Sequence, residues 1–345
     1  MKLPRILTLF WVVLNLAACS TTGTPPATPT TVDLSQNEPK SYGPSPMEGS
    51  SEHTANGTPT EKSDALPIPR RLPKIGLVLG PGGTRGFAHL GIIKELEEEG
   101  FKISAITGSG FGALIGGTYA FTGNVNRLEW EIFKLREEIY YDPPLLGLQP
   151  KVARGKSMFQ FLNQLFHSTS IQDFKIPFAV SALPKRGGNQ LKFRRGHAAT
   201  LIRASLAIPG LMEGIHFSDD EWTSAATVEP LPIDQVRKLG ADIVIAVDLL
   251  SDVARVSNRI NTSNDTFKAL LVAMSALSQE NGKGADILIQ PDLAGFEMID
   301  FNRRGDAIFR GKKAVQLSIR KIKEVISNWK PPKEEWIGPL PENPL

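Results

Sequence analysis

Gly108, Gly110 and Gly112 alternate through the stretch Ile103–Ala120, ISAITGSGFGALIGGTYA. Ile103, Ala105 and Ile106 suit a strand with apolar cover on both sides. Ala113, Leu114, Ile115 and Gly116 begin a helix of small residues that must lie close to its neighbours. A strand, a glycine turn and a helix in this order make a nucleophile elbow, on which a Ser attacks an acyl carbonyl. The pattern of such an elbow is G-x-S-x-G. Gly108 and Gly112 occupy its glycine positions and Ser109 lies between them, but the Ser position holds Gly110. The chemistry suggested is acyl transfer, on a frame whose nucleophile position has no side chain.

A second glycine-rich run, Pro81-Gly82-Gly83-Thr84-Arg85-Gly86, follows the apolar strand Ile75–Gly80 and opens a helix over Phe87–Glu99. A loop entering a helix in this way offers free N–H groups and the positive end of the helix dipole, both suited to an oxyanion. Pro81 removes one N–H and fixes φ at the start of that loop. Leu90, Ile93 and Leu96 share one face of the helix, and Gly100 suits its C-terminal cap.

The elements that must carry these loops alternate along the chain. Strand, glycine turn, helix, strand, glycine turn, helix is an α/β signature with a mostly parallel sheet. Further on, Asn126–Tyr140 reads as one amphipathic surface helix and Tyr141–Pro150 as a loop. Ser157–Phe166 reads as a helix that turns Met158, Phe161, Leu162 and Leu165 inward. Phe178–Ala182 is a strand, and Gly187-Gly188 turns the chain into Gln190–Phe193. Ala198–Ala207 is a helix ending at Pro209-Gly210. His216–Trp222 suits a hairpin with Asp219-Asp220 at its turn. Ile243–Asp248 and Ile287–Gln290 are strands, and Asn264–Gln279 and Ala307–Ile326 are helices. Composition does not shift after Lys74 and no repeat is visible, so residues 71–330 are expected to form one domain, followed by a Pro-rich tail over 331–345.

Four blocks in register give the chain a specific resemblance to the patatin-like phospholipase family. They are LGPGGTRGFAHLGIIKELEEEG at Leu79–Gly100, the elbow at Gly108–Gly112, RASLAIPG at Arg203–Gly210, and SAATVEPLPIDQVRKLGADIVIAVDL at Ser224–Leu249. The resemblance implies a three-layer α/β fold with a mostly parallel central sheet and helices on both faces. It implies a Ser–Asp dyad without His, and an oxyanion hole built from backbone N–H groups of the first loop. Carried over residue by residue, Gly82, Gly83, Thr84, Arg85 and Gly86 match that loop, with Pro81 in place of its first glycine. The nucleophile position falls on Gly110. The Asp position falls on Ser224, followed by Ala225 and Ala226 where the family has glycines. A Ser hydroxyl is no base at neutral pH, so both dyad members are replaced.

A slip of one residue would make Ser109 the nucleophile but would put Thr107 and Phe111 at the glycine positions, where they crowd the turn. Asp219, Asp220 and Glu229 are the candidate substitutes for the Asp. The first two suit a hairpin turn better. His89 matches a His frequent in the family and reads as a packing residue. Asp248 at a strand end and Arg85 in the loop read as structural, with contact between Arg85 and an anionic head group as the functional alternative. Met212 and Phe217 suit core packing ahead of an acyl pocket.

The N-terminal residues 1–18 read as an export signal, with Lys2 and Arg5 ahead of the apolar run Ile6–Leu16, too short to span a bilayer comfortably. Leu16-Ala17-Ala18-Cys19 resembles the lipobox of bacterial lipoproteins, which implies that Cys19 is lipidated and becomes the N-terminus. Ser20 after it favours the outer membrane over the inner. Residues 19–70, rich in Thr, Pro and Ser, read as a tether, with an end-to-end distance on the order of 40 Å. One Cys in 345 residues leaves no intrachain disulfide or zinc-thiolate spacing, and a net charge of +3 is no nucleic-acid signature. No metal or cofactor is expected. The expected protein is an envelope lipoprotein bound to the membrane through Cys19. Its domain is expected to be catalytically inactive and to hold a phospholipid, another acyl lipid or a protein partner. The alternatives are a lipid acyl hydrolase using non-standard residues and a tethered scaffold.

Overall fold

The apolar run Ile75–Leu79 forms β1, buried at every position because it has neighbours on both edges and cover on both faces. The structure is a computed structural model that describes residues 72–142, 152–253 and 265–331, all within one compact unit, Ala65–Leu345. The expected signal, Cys19 and tether lie outside the described residues, as do most of the loop expected over Tyr141–Pro150 and the tail beyond Pro331. β1 pairs in parallel with β2 (Ile103–Gly108) on one edge and with β7 (Ile243–Val247) on the other. The parallel set extends to β3 (Phe178–Pro184) beside β2 and β8 (Ile287–Ile289) beside β7. Three short strands complete the sheet in antiparallel pairings: β4 (Leu191–Phe193), β5 (Ile215–Phe217) and β6 (Asp220–Ser224).

Alternation along β1 divides the core. Leu77 and Leu79 face one way, with Ile106 and Ile245, into the large cluster built with α1 (Phe87–Glu98) and α2 (Phe111–Thr122). Val78 faces the other way, with Ala105, Val244 and Ala246, against Ile233 and Val236 of α7 (Ile233–Lys238). Helices therefore cover both faces of a sheet whose centre is parallel, as expected. The small residues of α2 do bring it close: a methyl placed on Gly112 would lie 2.1 Å from the Leu79 carbonyl oxygen.

Three expectations need correction. The single helix expected over Asn126–Tyr140 is two: α3 (Val125–Phe133), capped by the Asn124 side chain accepting from Arg127 N at 3.0 Å, and α4 (Glu137–Tyr141). The chain breaks between them where Leu135 turns into the core and is fully buried. The hairpin turn is Ser218-Asp219, both with positive φ, and Asp220 already belongs to β6. The third correction is α7, which carries too few apolar residues to stand out by periodicity. The remaining helices are α5 (Lys156–Phe166), α6 (Ala198–Leu206), α8 (Asp265–Gly282) and α9 (Arg304–Asn328). Met158, Phe161, Leu162 and Leu165 of α5 are all buried.

The last helix packs on the first through a reciprocal glycine contact. A methyl on Gly91 would meet Ile308 O at 1.9 Å, and one on Gly311 would meet Ala88 O at 2.0 Å. Backbone cannot yield as a side-chain end can, so overpacking there forces the helices apart. Gly91→Ala is expected to destabilise the fold by about 3 kcal/mol, read as a lowered urea midpoint. A midpoint within error of the parent would show that the helices do not approach so closely.

Candidate functional site

The sheet brings the elbow and Ser224 together along one edge of β3. Val180 pairs with both Gly108 of β2 and Phe193 of β4, and Ala182 pairs with both Leu191 of β4 and Ser224 of β6. β4 thus takes one edge, while β6 takes over the edge that β2 leaves at Gly108. Gly108 and Ser224 face positions two residues apart on β3, a separation of about 7 Å along the strand. The segment after α6 ties them further. Gly110 N donates to Ser205 Oγ at 3.1 Å, and Ser224 N donates to Ala207 O at 3.0 Å.

Gly110 has φ 55° and ψ −129°, the sharp strand-to-helix turn that the glycine spacing implies. An L side chain in that left-handed region costs about 1–3 kcal/mol, and glycine avoids that strain. The space over the turn is also taken. A methyl on Gly110 would lie 3.0 Å from Pro81 Cβ and 3.3 Å from Ile208 Cδ1. Pro81 therefore presses on the spot from which a nucleophile would project.

Loop residues Pro81–Gly86 are all buried, and the backbone donors of Thr84 and Arg85 are engaged, Arg85 N with Gly82 O at 3.2 Å. Thr84 N donates to Met298 O at 2.9 Å, and Asp300 N donates to Thr84 Oγ1 at 2.7 Å. A methyl on Gly83, which has φ 57°, would sit 1.9 Å from the same Met298 oxygen. The backbone at Met298–Asp300 is thus strapped over the glycine-rich loop. Sequence reasoning missed this strap, because a carbonyl from a distant loop leaves no residue-type signal. The Arg85 side chain, 3% exposed, pairs with Asp252.

Ser224 is engaged in a local structural bond. Its Oγ accepts from Ala226 N at 3.2 Å and caps the short turn that follows. Ser109 is buried, and its hydroxyl donates to the Pro230 carbonyl, which cannot take the proton as a base would. Glu229 accepts from Gln190 Nε2 at 2.7 Å and Lys192 Nζ at 3.2 Å. Asp219 and Asp220 lie at the hairpin. Asp248 is buried and accepts from Leu250 N, Ser278 Oγ and Gln290 Nε2 at 2.9, 2.7 and 3.1 Å, a structural set as expected. Met212 is core, and Phe217 stacks on Trp222 with centroids 4.9 Å apart. Beside the elbow, Ile208, Ala226, Leu250, Phe267, Leu271 and Met298 pack as one buried apolar cluster. No group of His, Cys, Asp and Glu able to hold a metal ion occurs among the described residues.

An elbow, a glycine loop and a strand end converging on one sheet edge define the frame of an α/β acyl hydrolase. The family model for patatin-like phospholipase matches residues 77–237, and that span is a patatin-like phospholipase domain. An uncharacterized NTE family protein of Mycobacterium bovis is 31% identical over 182 residues, covering 51% of this chain and 49% of its own. A lysophospholipase NTE1 of Meyerozyma guilliermondii is 28% identical over 200 residues, covering 56% of this chain and 14% of its own. The chain thus spans about half the mycobacterial relative's length and a smaller part of the yeast protein's. Among solved structures, VipD from Legionella pneumophila is similar with a TM-score of 0.48 at 11% identity, over 74% of this chain and 67% of that one.

His89 supplies a test of the site's interior. It is fully buried and donates from Nε2 to Gly80 O at 2.8 Å. Burial pushes its pKa down from 6.5 to about 4, the bond to Gly80 opposing that shift. The unfolded chain therefore takes up a proton that the folded chain refuses. The contribution is whole above pH 6.5 and is lost as pH falls towards 4, by on the order of 3 kcal/mol. Urea unfolding from pH 7 to pH 4 is expected to show that decline. His89→Asn is expected to flatten it by that amount, and an unchanged slope would assign the decline to other groups.

Proposed function

We propose that this protein is a membrane-tethered, non-catalytic member of its family, an envelope lipoprotein whose domain binds lipid without hydrolysing it. The observation that carries the reading is the state of the elbow. Its turn is kept at Gly110 while the nucleophile is absent, the base position holds the capping hydroxyl of Ser224, and Pro81 fills the approach. Loss of one dyad member would leave a damaged enzyme. Replacement of both, with a proline closing over the gap, is the mark of a site no longer used for acyl transfer. Lipid as the ligand class is supported by the similarity to a lysophospholipase NTE1. A lipidated Cys19, following the sorting logic of Ser20, would hold the domain at the outer membrane.

The test uses the full chain against p-nitrophenyl butyrate and phosphatidylglycerol. The parent is expected to show no turnover above background. Gly110→Ser with Ser224→Asp restores the dyad, but the new Cβ meets Pro81, so this pair is expected to stay near background. Adding Pro81→Gly is expected to raise the rate by about a hundredfold, the size of one oxyanion donor regained with its space. Parent turnover that vanishes in Ser109→Ala would overturn the reading in favour of an active hydrolase. Saturable binding of a protein in place of lipid would favour a scaffold.

The anchor is tested separately. Membrane-extracted protein is expected to carry a diacylglyceryl mass on an N-terminal Cys19, and Cys19→Ala is expected to move the chain from the detergent phase to the aqueous phase. An unmodified mass at Cys19 would remove the lipoprotein reading.

A further inference from the structure

The 25-residue helix α9 turns its apolar side, including Ala307, Gly311, Val315 and Ile322, into the core. Its outer side is unusual. Phe309 is 64% exposed and Leu317 is 78% exposed, two turns apart, with Lys313 between them on the same face. The helix carries seven basic residues against two acidic ones. Arg310 pairs with Asp292, Lys312 with Glu95 and Glu98, and Lys323 with Glu99. Lys313, Arg320 and Lys321 are exposed, and among the described residues no acidic partner holds them. Glu324, Asp242 and Asp286 line a cavity together with Lys321, and Asp292 lines one with Lys313, yet none of them makes an ion pair with these three cations. Beside Lys313 and Leu317 lies a cavity of about 270 Å³ that Arg310 and Gln290 also line.

Exposed Phe and Leu set among unpaired Lys and Arg match one surface above others. The cations attract an anionic plane, and the apolar side chains gain when they pass below its head groups. We infer that the outer face of α9 is where the domain lies on an anionic phospholipid bilayer, with Phe309 and Leu317 inserted and Lys313, Arg320 and Lys321 at the head groups. A protein partner with an acidic face would meet the cations, but it would have to supply a pocket for each of two apolar side chains two turns apart. A bilayer accepts both without such matching. The helix stays packed on α1 through Gly91 and Gly311, so docking needs no rearrangement. The inference is independent of the anchor at Cys19: the anchor would set the distance to the membrane, and this face the orientation on it.

The test places a polarity-sensitive dye at single cysteines in the full chain with Cys19→Ala, at Phe309→Cys, at Leu317→Cys, and at Lys238→Cys on α7 over the other sheet face. Vesicles of phosphatidylglycerol and phosphatidylethanolamine in equal parts are compared with phosphatidylcholine alone. Blue-shifted emission is expected at 309 and 317 with the anionic vesicles only, reversed by about 0.5 M sodium chloride, with no shift at 238. Changing Lys313, Arg320 and Lys321 to Glu is expected to weaken the transition on the order of a hundredfold or more, about fivefold for each cation lost. Equal shifts at all three sites, or none at 309 and 317, would overturn the inference. Shifts without lipid that grow with protein concentration would assign the face to a second copy of the chain instead. Failure here leaves the lipidation test of Cys19 untouched, so the two readings fall separately.

Discussion

β2 ends at Gly108 and α2 begins at Phe111, so the chain reverses within two residues and does so through a left-handed φ. That constraint falls on Gly110. β2 is fixed on both edges, by β1 and by β3, so the turn cannot relax by moving the strand. α2 is fixed by the contact of Gly112 with the Leu79 carbonyl. In an active elbow the strain of a side chain at this point is borne for the sake of reactivity. Here the same geometry is held by a residue that bears none of it. Packing demands the turn whether or not a nucleophile stands on it.

The rest of the site follows the same division. The groups that hold the frame each keep a bonded partner. Arg85 pairs with Asp252, His89 bonds Gly80 O, and Asp248 collects three donors. The groups at the dyad positions and in the first loop make structural bonds. Ser224 caps a turn, Ser109 is spent on a backbone carbonyl, and Thr84 N is bound to Met298 O. A buried donor that has found an acceptor is not free for an oxyanion without first giving that acceptor up, at a cost of about 1–3 kcal/mol.

Much of this was legible in the residues. Ile75–Leu79, Ile103–Ile106 and Ile243–Val247 read as strands because burial on both faces makes them nearly continuous apolar runs. The elbow and its missing nucleophile followed from glycine spacing alone. Other features depend on placement that no local pattern encodes. Ser224 lies beside Gly108 only because β6 takes over an edge of β3 where β2 stops. Met298 acts through its carbonyl, which every residue type carries. Leu135 broke a helix that the charge pattern joined, because a core position drew the chain inward. α7 was missed since two inward residues, Ile233 and Val236, do not make a period.

The clasp between Gly91 and Gly311 has a consequence for synthesis. α1 is made well before α9, and each supplies the groove into which the other's backbone fits. Until α9 emerges, the face of α1 around Ala88 and Gly91 lacks that partner. Contacts of such long sequence separation are slow to form and leave apolar surface uncovered meanwhile. The nascent chain therefore cannot complete this core before α9 is made, and the groove of α1 stays open until then.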